Sequence, residues 1–123
     1  QILDALLGNF AGKKLTLLAP VVKGRKGHYR ELFVQIRKQG FTKVRIDGKL
    51  EEITAKMQVD RFKIHDIEIV VDRIVADPQD RFRISQSVAR AMKEGKGVMM
   101  AMEESGKVHH FSRFLMDPAT GLS

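Results

Sequence analysis

A basic segment flanked by glycines contains the residue types best suited to contact phosphate in this sequence. Lys23, Arg25 and Lys26 follow an apolar run, and a helix-like pattern begins at His28. A strand, a basic glycine-containing loop and a helix start together form many phosphate sites. The P-loop pattern G-x-x-x-x-G-K-[ST] and the dinucleotide pattern G-x-G-x-x-G are both absent, so neither kind of nucleotide site is predicted. Two readings remain for this segment: contact with an anion, or a turn with exposed basic side chains.

Residue types that usually carry catalysis have no usable arrangement here. The chain contains no cysteine, which excludes disulfides and thiolate metal ligands within it. No serine lies in a G-x-S-x-G pattern. His109 and His110 are adjacent, and neighbouring residues of a strand point to opposite faces, so they are not expected to share a metal ion. We therefore predict no catalytic residue, no metal site and no cofactor anywhere in this 123-residue chain.

Positive charge is concentrated in one part of the chain. The formal net charge is +7 over 123 residues. Residues 13–45 contain ten Lys or Arg and one acid, Glu31, so this range carries +9 and the remainder −2. Such a patch suits phosphate groups or an acidic protein partner. A solvated lysine-rich face is the alternative.

Apolar periodicity predicts the elements that would position these residues. Residues 15–20 are typical of a short buried strand, which the basic segment would follow as a loop. Residues 28–39 place apolar side chains at i, i+3, i+4 and i+7, which predicts an amphipathic helix that ends before Gly40. Residues 43–47 and 49–53 flank Asp47-Gly48, a strong hairpin signal. One apolar and one charged face are expected for the first of these strands.

The second half of the chain predicts a long strand, a helix and a strand pair. Residues 65–75 are rich in β-branched side chains and should form a central strand. Asp77-Pro78 is a helix-start signal, and the second helix should run to about Lys93. Residues 97–103 and 108–113 should form the last two strands. The sequence thus predicts a single α+β domain, with two amphipathic helices packed on an antiparallel-rich mixed sheet. The predicted core is Leu32, Phe33, Ile36, Val44, Ile46, Ile69, Val71, Ile84, Val88 and Met92.

Several segments, taken together and in order, resemble a known family. LLAPVVKGRKGHYRELF, QGFTKVRIDG and HDIEIVVDRIV are similar to the UvrB-binding domain of UvrA, the damage-recognising subunit of the bacterial excinuclease ABC. ISQSVARAMKEGKG and FSRFLMDPATGLS continue the likeness, which covers nearly the whole chain. Asp117 and Thr120 stand where the family has the first cysteine pair of a zinc module. Residues 1–114 would therefore be the UvrB-binding domain, and residues 115–123 the start of a segment that lacks that zinc pair.

The resemblance implies a docking module that is inactive by itself. UvrA is a dimeric ATPase that loads UvrB onto damaged DNA, so ATP and zinc are expected in the rest of the parent protein. The parent would be a cytoplasmic homodimer and the isolated domain a monomer without membrane contact. The charged face of residues 43–47 offers Lys43, Arg45 and Asp47 to a partner, and Arg73 ends the neighbouring long strand. The resemblance implies that UvrB docks on these residues, with Lys43 and Arg73 at positions that match the family's basic docking residues. A solvated sheet face is the alternative.

The basic segment has a different implied role. Lys23, Arg25, Lys26 and Arg30 would face either duplex DNA or another part of UvrA. The runner-up function is accordingly a basic DNA-contacting module, for which the charge of residues 13–45 is the main argument.

Overall fold

The computed structural model describes residues 1–113, and these contain three α-helices and six β-strands. The elements run in the order α1 (Ile2–Asn9), β1 (Lys14–Lys26), α2 (Arg30–Lys38), β2 (Lys43–Ile46), β3 (Lys49–Glu52), β4 (Ile64–Val75), α3 (Arg81–Glu94), β5 (Val98–Glu103) and β6 (Val108–Ser112). A short 3-10 turn, Pro78–Asp80, precedes α3. The predicted α+β class is confirmed.

The six strands belong to one sheet in the order β3-β2-β4-β1-β5-β6. The pairs β1–β5, β2–β3, β2–β4 and β5–β6 are antiparallel, which confirms the antiparallel-rich prediction. The predicted hairpin is β2–β3, with Lys43 opposite Glu52 and Ile46 opposite Lys49. β3 ends the strand order, and all four of its residues are exposed.

The chain divides into two compact units. The first comprises residues 1–19 and the chain from Val71 onward, and the second comprises Pro20–Val70. The first unit has a core to which α1, α3 and strand segments contribute. Its buried residues are Leu6, Leu7, Leu15, Leu17, Ile74, Ala76, Ile84, Val88, Ala91, Met99, Ala101 and Phe111.

The second unit has its own set of buried side chains. Phe33 and Ile36 of α2 are 1% and 2% exposed, as the predicted amphipathic spacing requires. Val44 and Ile46 of β2 and Ile67 and Ile69 of β4 are also buried, and the β2–β4 register places Val44 opposite Ile69 and Ile46 opposite Ile67. Of the ten predicted core residues, three are only partly buried: Leu32, Val71 and Met92.

The basic segment is not the loop that the sequence predicts. β1 continues through Pro20 and ends at Lys26, so Lys23, Arg25 and Lys26 lie on a strand. The β1–β5 register covers Leu15–Leu18, and the missing N–H of Pro20 therefore removes none of those ladder bonds. The following helix begins at Arg30 rather than His28, because Tyr29 has a left-handed backbone with φ of 58°.

Helix α1 was not predicted, although its apolar spacing is helical. Leu6 and Leu7 are buried, and Ile2, Leu3 and Phe10 pack against the same core. The Asp77 carboxylate accepts a hydrogen bond from the Gln79 N–H, as the capping signal predicts, but it caps the 3-10 turn Pro78–Asp80, and α3 itself begins at Arg81.

The residues interpreted as a former zinc pair, Asp117 and Thr120, lie outside the described residues 1–113. Within residues 1–113 no helix is long and apolar enough to cross a bilayer.

Candidate interaction surface

Strand β2 positions two of the cations that the sequence assigns to partner binding. Val44 and Ile46 point into the interior, and Lys43 and Arg45 alternate with them at half-buried positions. The amino group of Lys43 makes no ion pair within residues 1–113. Lys43 therefore presents a charge that a partner can use.

Arg45 is engaged inside the second unit. Its Nη1 lies 2.7 Å from Oε1 of Glu68, and the two side chains are only 18% and 5% exposed. Burial raises the pKa of Glu68, and the hydrogen bond and charge of Arg45 act in the opposite direction. The Nε atom of Arg45 is buried without a hydrogen-bond partner in the described chain. We infer that Arg45 mainly compensates the buried Glu68 carboxylate and contributes less charge to the surface than its sequence position suggests.

Asp47 holds the β2–β3 turn. Its Oδ1 accepts a hydrogen bond from the Asp66 N–H at 2.8 Å, and its own N–H donates to the Asp66 carbonyl at 2.9 Å. Its Oδ2 lies 2.7 Å from Nδ1 of His65. Although desolvation acts to raise the pKa of Asp47, the hydrogen bonds from His65 and Asp66 lower it. Asp47 is therefore tied to its own unit.

His65 is the buried partner that completes this turn, and the sequence did not identify it. Its two ring nitrogens face two acceptors: Nδ1 faces the Asp47 carboxylate, and Nε2 lies 2.7 Å from the Asp60 carbonyl oxygen. A histidine donates from both nitrogens only when protonated. The hydrogen bonds to Asp47 and Asp60 accordingly raise the pKa of His65. The sequence carries no local signal for this role, because the two partners of His65 lie 18 and 5 residues away along the chain.

Arg73 lies on the part of β4 that belongs to the first unit. Its side chain is exposed and makes no ion pair within the described residues. The neighbouring Asp72 carboxylate accepts hydrogen bonds from Arg83 at 3.0 Å and from the Ser87 hydroxyl at 2.6 Å. The Asp72 carboxylate is thus bonded to two side chains of α3, and the Arg73 guanidinium has no ion pair in the described chain.

The basic strand end, which we define as Lys23, Arg25 and Lys26, is exposed but held in place. The Gly24 N–H donates to Oδ1 of Asp66 at 2.7 Å. The Tyr29 hydroxyl lies 3.0 Å from the carbonyl oxygens of both Arg25 and Lys26. No ion pair within residues 1–113 involves these three cations.

Arg30 was grouped with the basic strand end as a possible contact to DNA or to another part of the parent protein, but its surroundings differ. It begins α2, and its Nη2 donates to Oε1 of Gln58 at 2.6 Å. Arg30 also lines a cleft of about 380 Å³ together with His28, Arg61 and Phe62. It therefore belongs to this cleft as well as to the start of the helix.

Within residues 1–113, no group of three or more His, Asp or Glu side chains is arranged to hold a metal ion. His109 is bonded to Glu103 at 2.7 Å and lies against the Phe10 ring. Each unit offers a cation without an ion pair in the described chain, Lys43 in the second unit and Arg73 in the first, and such cations suit carboxylates or phosphates.

Comparison with known proteins gives consistent matches. A family model described as "UvrA interaction domain" matches residues 1–105. The chain is 39% identical over 104 residues to UvrABC system protein A of Deinococcus radiodurans, a match that covers 83% of the chain and 10% of that protein. It is 36% identical over 124 residues to the Aquifex aeolicus protein of the same name, with 100% of the chain and 13% of the relative covered.

A third relative supports the same assignment. UvrABC system protein A of Bacillus subtilis is 41% identical over 100 residues, which cover 81% of the chain and 10% of the relative. The chain thus spans 10–13% of the length of these relatives.

Proposed function

Because the chain belongs to the UvrA interaction domain family, we propose that it is the docking module through which a UvrA-type protein binds UvrB in nucleotide excision repair. In this proposal the module helps to load UvrB onto damaged DNA and performs no catalysis itself. ATP binding, zinc binding and dimerisation belong to other parts of the parent protein.

The observation that supports this proposal is the state of the four predicted docking residues. Lys43 and Arg73 have no ion pair within the described chain, whereas Arg45 and Asp47 are held by Glu68 and His65. Free cations suit a polar, transient interface with an acidic partner, because electrostatic complementarity favours encounter and specificity. We therefore assign the larger part of the docking energy to Lys43 and Arg73.

Charge reversal tests this assignment. Lys43→Glu and Arg73→Glu should each weaken UvrB binding by about 1–3 kcal/mol, because each places a negative charge against an acidic surface. Binding is measured by calorimetric titration of purified UvrB into the 123-residue chain. Arg45→Glu is unsuitable here, since it would place a second carboxylate beside the buried Glu68.

The matched control reverses charge on the basic strand end. Arg25→Glu with Lys26→Glu should leave UvrB affinity nearly unchanged and should reduce any affinity for duplex DNA, with a steep dependence on salt. If this control abolished UvrB binding while Lys43→Glu and Arg73→Glu did not, the docking site would lie at the basic strand end. If the unmodified chain bound duplex DNA but not UvrB, and the control lost the DNA binding, the DNA-contacting function would replace the proposed one.

A further inference from the structure

An aromatic ring projects from the turn that leads into β4. The side chain of Phe62 is 77% exposed. Its N–H donates to Oδ1 of Asp60 at 2.9 Å, and the Lys63 N–H lies 3.3 Å from the Asp60 carbonyl oxygen. The same carbonyl oxygen is bonded to Nε2 of the buried His65. A closed, anchored turn therefore fixes the backbone of Phe62 while its ring faces solvent, so little ordering is needed on binding.

Cations flank this ring on both sides in the chain. Arg61 and Lys63 are exposed, and neither forms an ion pair within residues 1–113. The unit that contains them has twelve Lys or Arg and seven Asp or Glu, a formal charge of +5. An anion that approaches Phe62 therefore meets two uncompensated positive charges on a positively charged unit.

The ring also borders the cleft of about 380 Å³ described above. Arg30 and His28 contribute to its wall, as do two acids, Asp60 and Glu31. The Asp60 carboxylate accepts a hydrogen bond from the Phe62 N–H, and the Glu31 side chain is 81% exposed. Because two acids line the cleft, phosphate groups should lie on the solvent-exposed sides of Arg61, which also lines the cleft, and of Lys63.

A second exposed phenylalanine shows what is particular to this site. Phe82 is also 77% exposed and also lies between two cations, Arg81 and Arg83. There, however, Arg81 is 2.7 Å from Asp4 and Arg83 is 3.0 Å from Asp72. The same sequence pattern thus occurs once with free cations and once with neutralised cations.

We propose that Phe62, Arg61 and Lys63 form a binding site for single-stranded nucleic acid, with one base stacked on the Phe62 ring and adjacent phosphates on the two cations. An exposed aromatic ring beside free positive charge is the arrangement that such sites use. A protein anchor would be expected among apolar neighbours, but most of the side chains around this cleft are polar or charged. This site is distinct from the Lys43 and Arg73 docking residues.

The test uses a fluorescently labelled oligothymidylate of about 12 nucleotides, titrated with the 123-residue chain and followed by anisotropy. Phe62→Leu keeps an apolar side chain but removes the π face, and it should weaken binding by at least about fivefold. Phe62→Trp should retain binding. Because the chain has no tryptophan, the new indole should also report stacking directly through quenching of its fluorescence by the oligonucleotide.

Phe82→Leu is the matched control and should leave oligonucleotide affinity unchanged. The logarithm of the binding constant falls linearly with the logarithm of the salt concentration. Arg61→Gln with Lys63→Gln should make this slope shallower by about 0.7 for each phosphate that the variant no longer neutralises, whereas Arg81→Gln with Arg83→Gln should leave the slope unchanged. Thermal unfolding of each variant verifies that the fold is retained.

Three outcomes would overturn the proposal. These are an unchanged oligonucleotide affinity in Phe62→Leu, an equal loss in Phe62→Leu and Phe82→Leu, and an absence of indole quenching in Phe62→Trp. Loss of UvrB binding in Phe62→Leu with unchanged oligonucleotide binding would instead make the ring a protein anchor. Failure of the UvrB docking proposal alone would appear in the Lys43→Glu and Arg73→Glu titrations and would leave these measurements unaffected.

Discussion

The two units of the chain treat their charged residues differently. In the first unit, Lys13, Arg81, Arg83 and Arg90 each lie beside an acid that is distant in sequence or one helical turn away. In the second unit, the ion pair that Arg45 forms with Glu68 is buried, and the Lys and Arg side chains at the surface form no ion pair within the described residues. Similar numbers of basic residues, ten in the first unit and twelve in the second, can thus leave fewer or more cations available to attract anions. Charge pairing in three dimensions decides which surface is available for binding.

The largest expected effect separates the interior of the second unit from its exposed site. Phe33→Ala should lower the free energy of unfolding by about 3–5 kcal/mol, because it leaves a cavity where a fully buried ring packs. Phe62→Ala should change it by about 0.5 kcal/mol or less, since that ring is mostly in water. Urea denaturation of both variants measures the difference. Similar values for the two would mean that α2 does not pack as described.

A second comparison sets a buried ion pair against an exposed one. Glu68→Gln should destabilise the chain by about 2–3 kcal/mol, because it leaves the Arg45 charge in a largely desolvated position; the small remaining exposure of Arg45 keeps the loss below that of a fully buried pair. Asp4→Asn breaks the pair with Arg81, whose side chains are 68% and 54% exposed, and should change stability by less than about 1 kcal/mol. Equal effects in the two variants would remove the distinction between the two units.

The smallest expected effects concern the free energy of unfolding as a function of pH, to which one residue of each unit contributes with opposite sign. The pKa of His65 is raised, so its contribution to stability is complete below its unfolded-state pKa and is lost as pH rises through its folded-state value. Hydrogen bonds from His109 and Lys13 lower the pKa of Glu103 to about 2, so its contribution is present above its unfolded-state pKa and is lost as pH falls toward 2.

Unfolding free energies measured across the pH range test these signs. His65→Asn should remove part of the loss of stability on the alkaline side, and Glu103→Gln part of the loss on the acid side. Asp47 has a lowered pKa, so its own contribution to stability is also lost as pH falls. Because Asp47 contacts His65, His65→Asn should also change the unfolding free energy at acid pH. If His65→Asn lost stability at alkaline pH to the same extent as the unmodified chain, His65 would not be protonated in the fold.

Local apolar patterns predicted most of the elements of this fold. The hairpin at Asp47-Gly48, the long strand β4 and the helix α3 all have strong periodic or turn signals within a few residues. The end of β1 was mispredicted, because glycine and basic residues favour a loop locally while strand pairing is a property of the sheet. Helix α1 was overlooked despite the helical spacing of Leu3, Leu6, Leu7 and Phe10.

The candidate site was less predictable, because its charges are modified by residues distant in sequence. Arg45 reads as a surface cation until Glu68, 23 residues later, is found 2.7 Å away. The contrast between Phe62 and Phe82 depends on Asp4 and Asp72, and no local pattern specifies those partners. Residues 61–63 (R-F-K) and 81–83 (R-F-R) have nearly the same local sequence, and only the three-dimensional structure shows that the cations of the second pattern are paired with acids while those of the first are not.

The strand at the end of the sheet order, β3, limits the ways in which another chain can attach. It is four residues long and fully exposed, and three of its four side chains, Lys49, Glu51 and Glu52, are charged. Short charged strands of this kind oppose edge-to-edge pairing, which is the first step of sheet extension and of fibril growth. A partner that binds near β3 must therefore do so through side chains rather than by adding a strand of its own, and concentrated solutions of the chain should resist association through this edge.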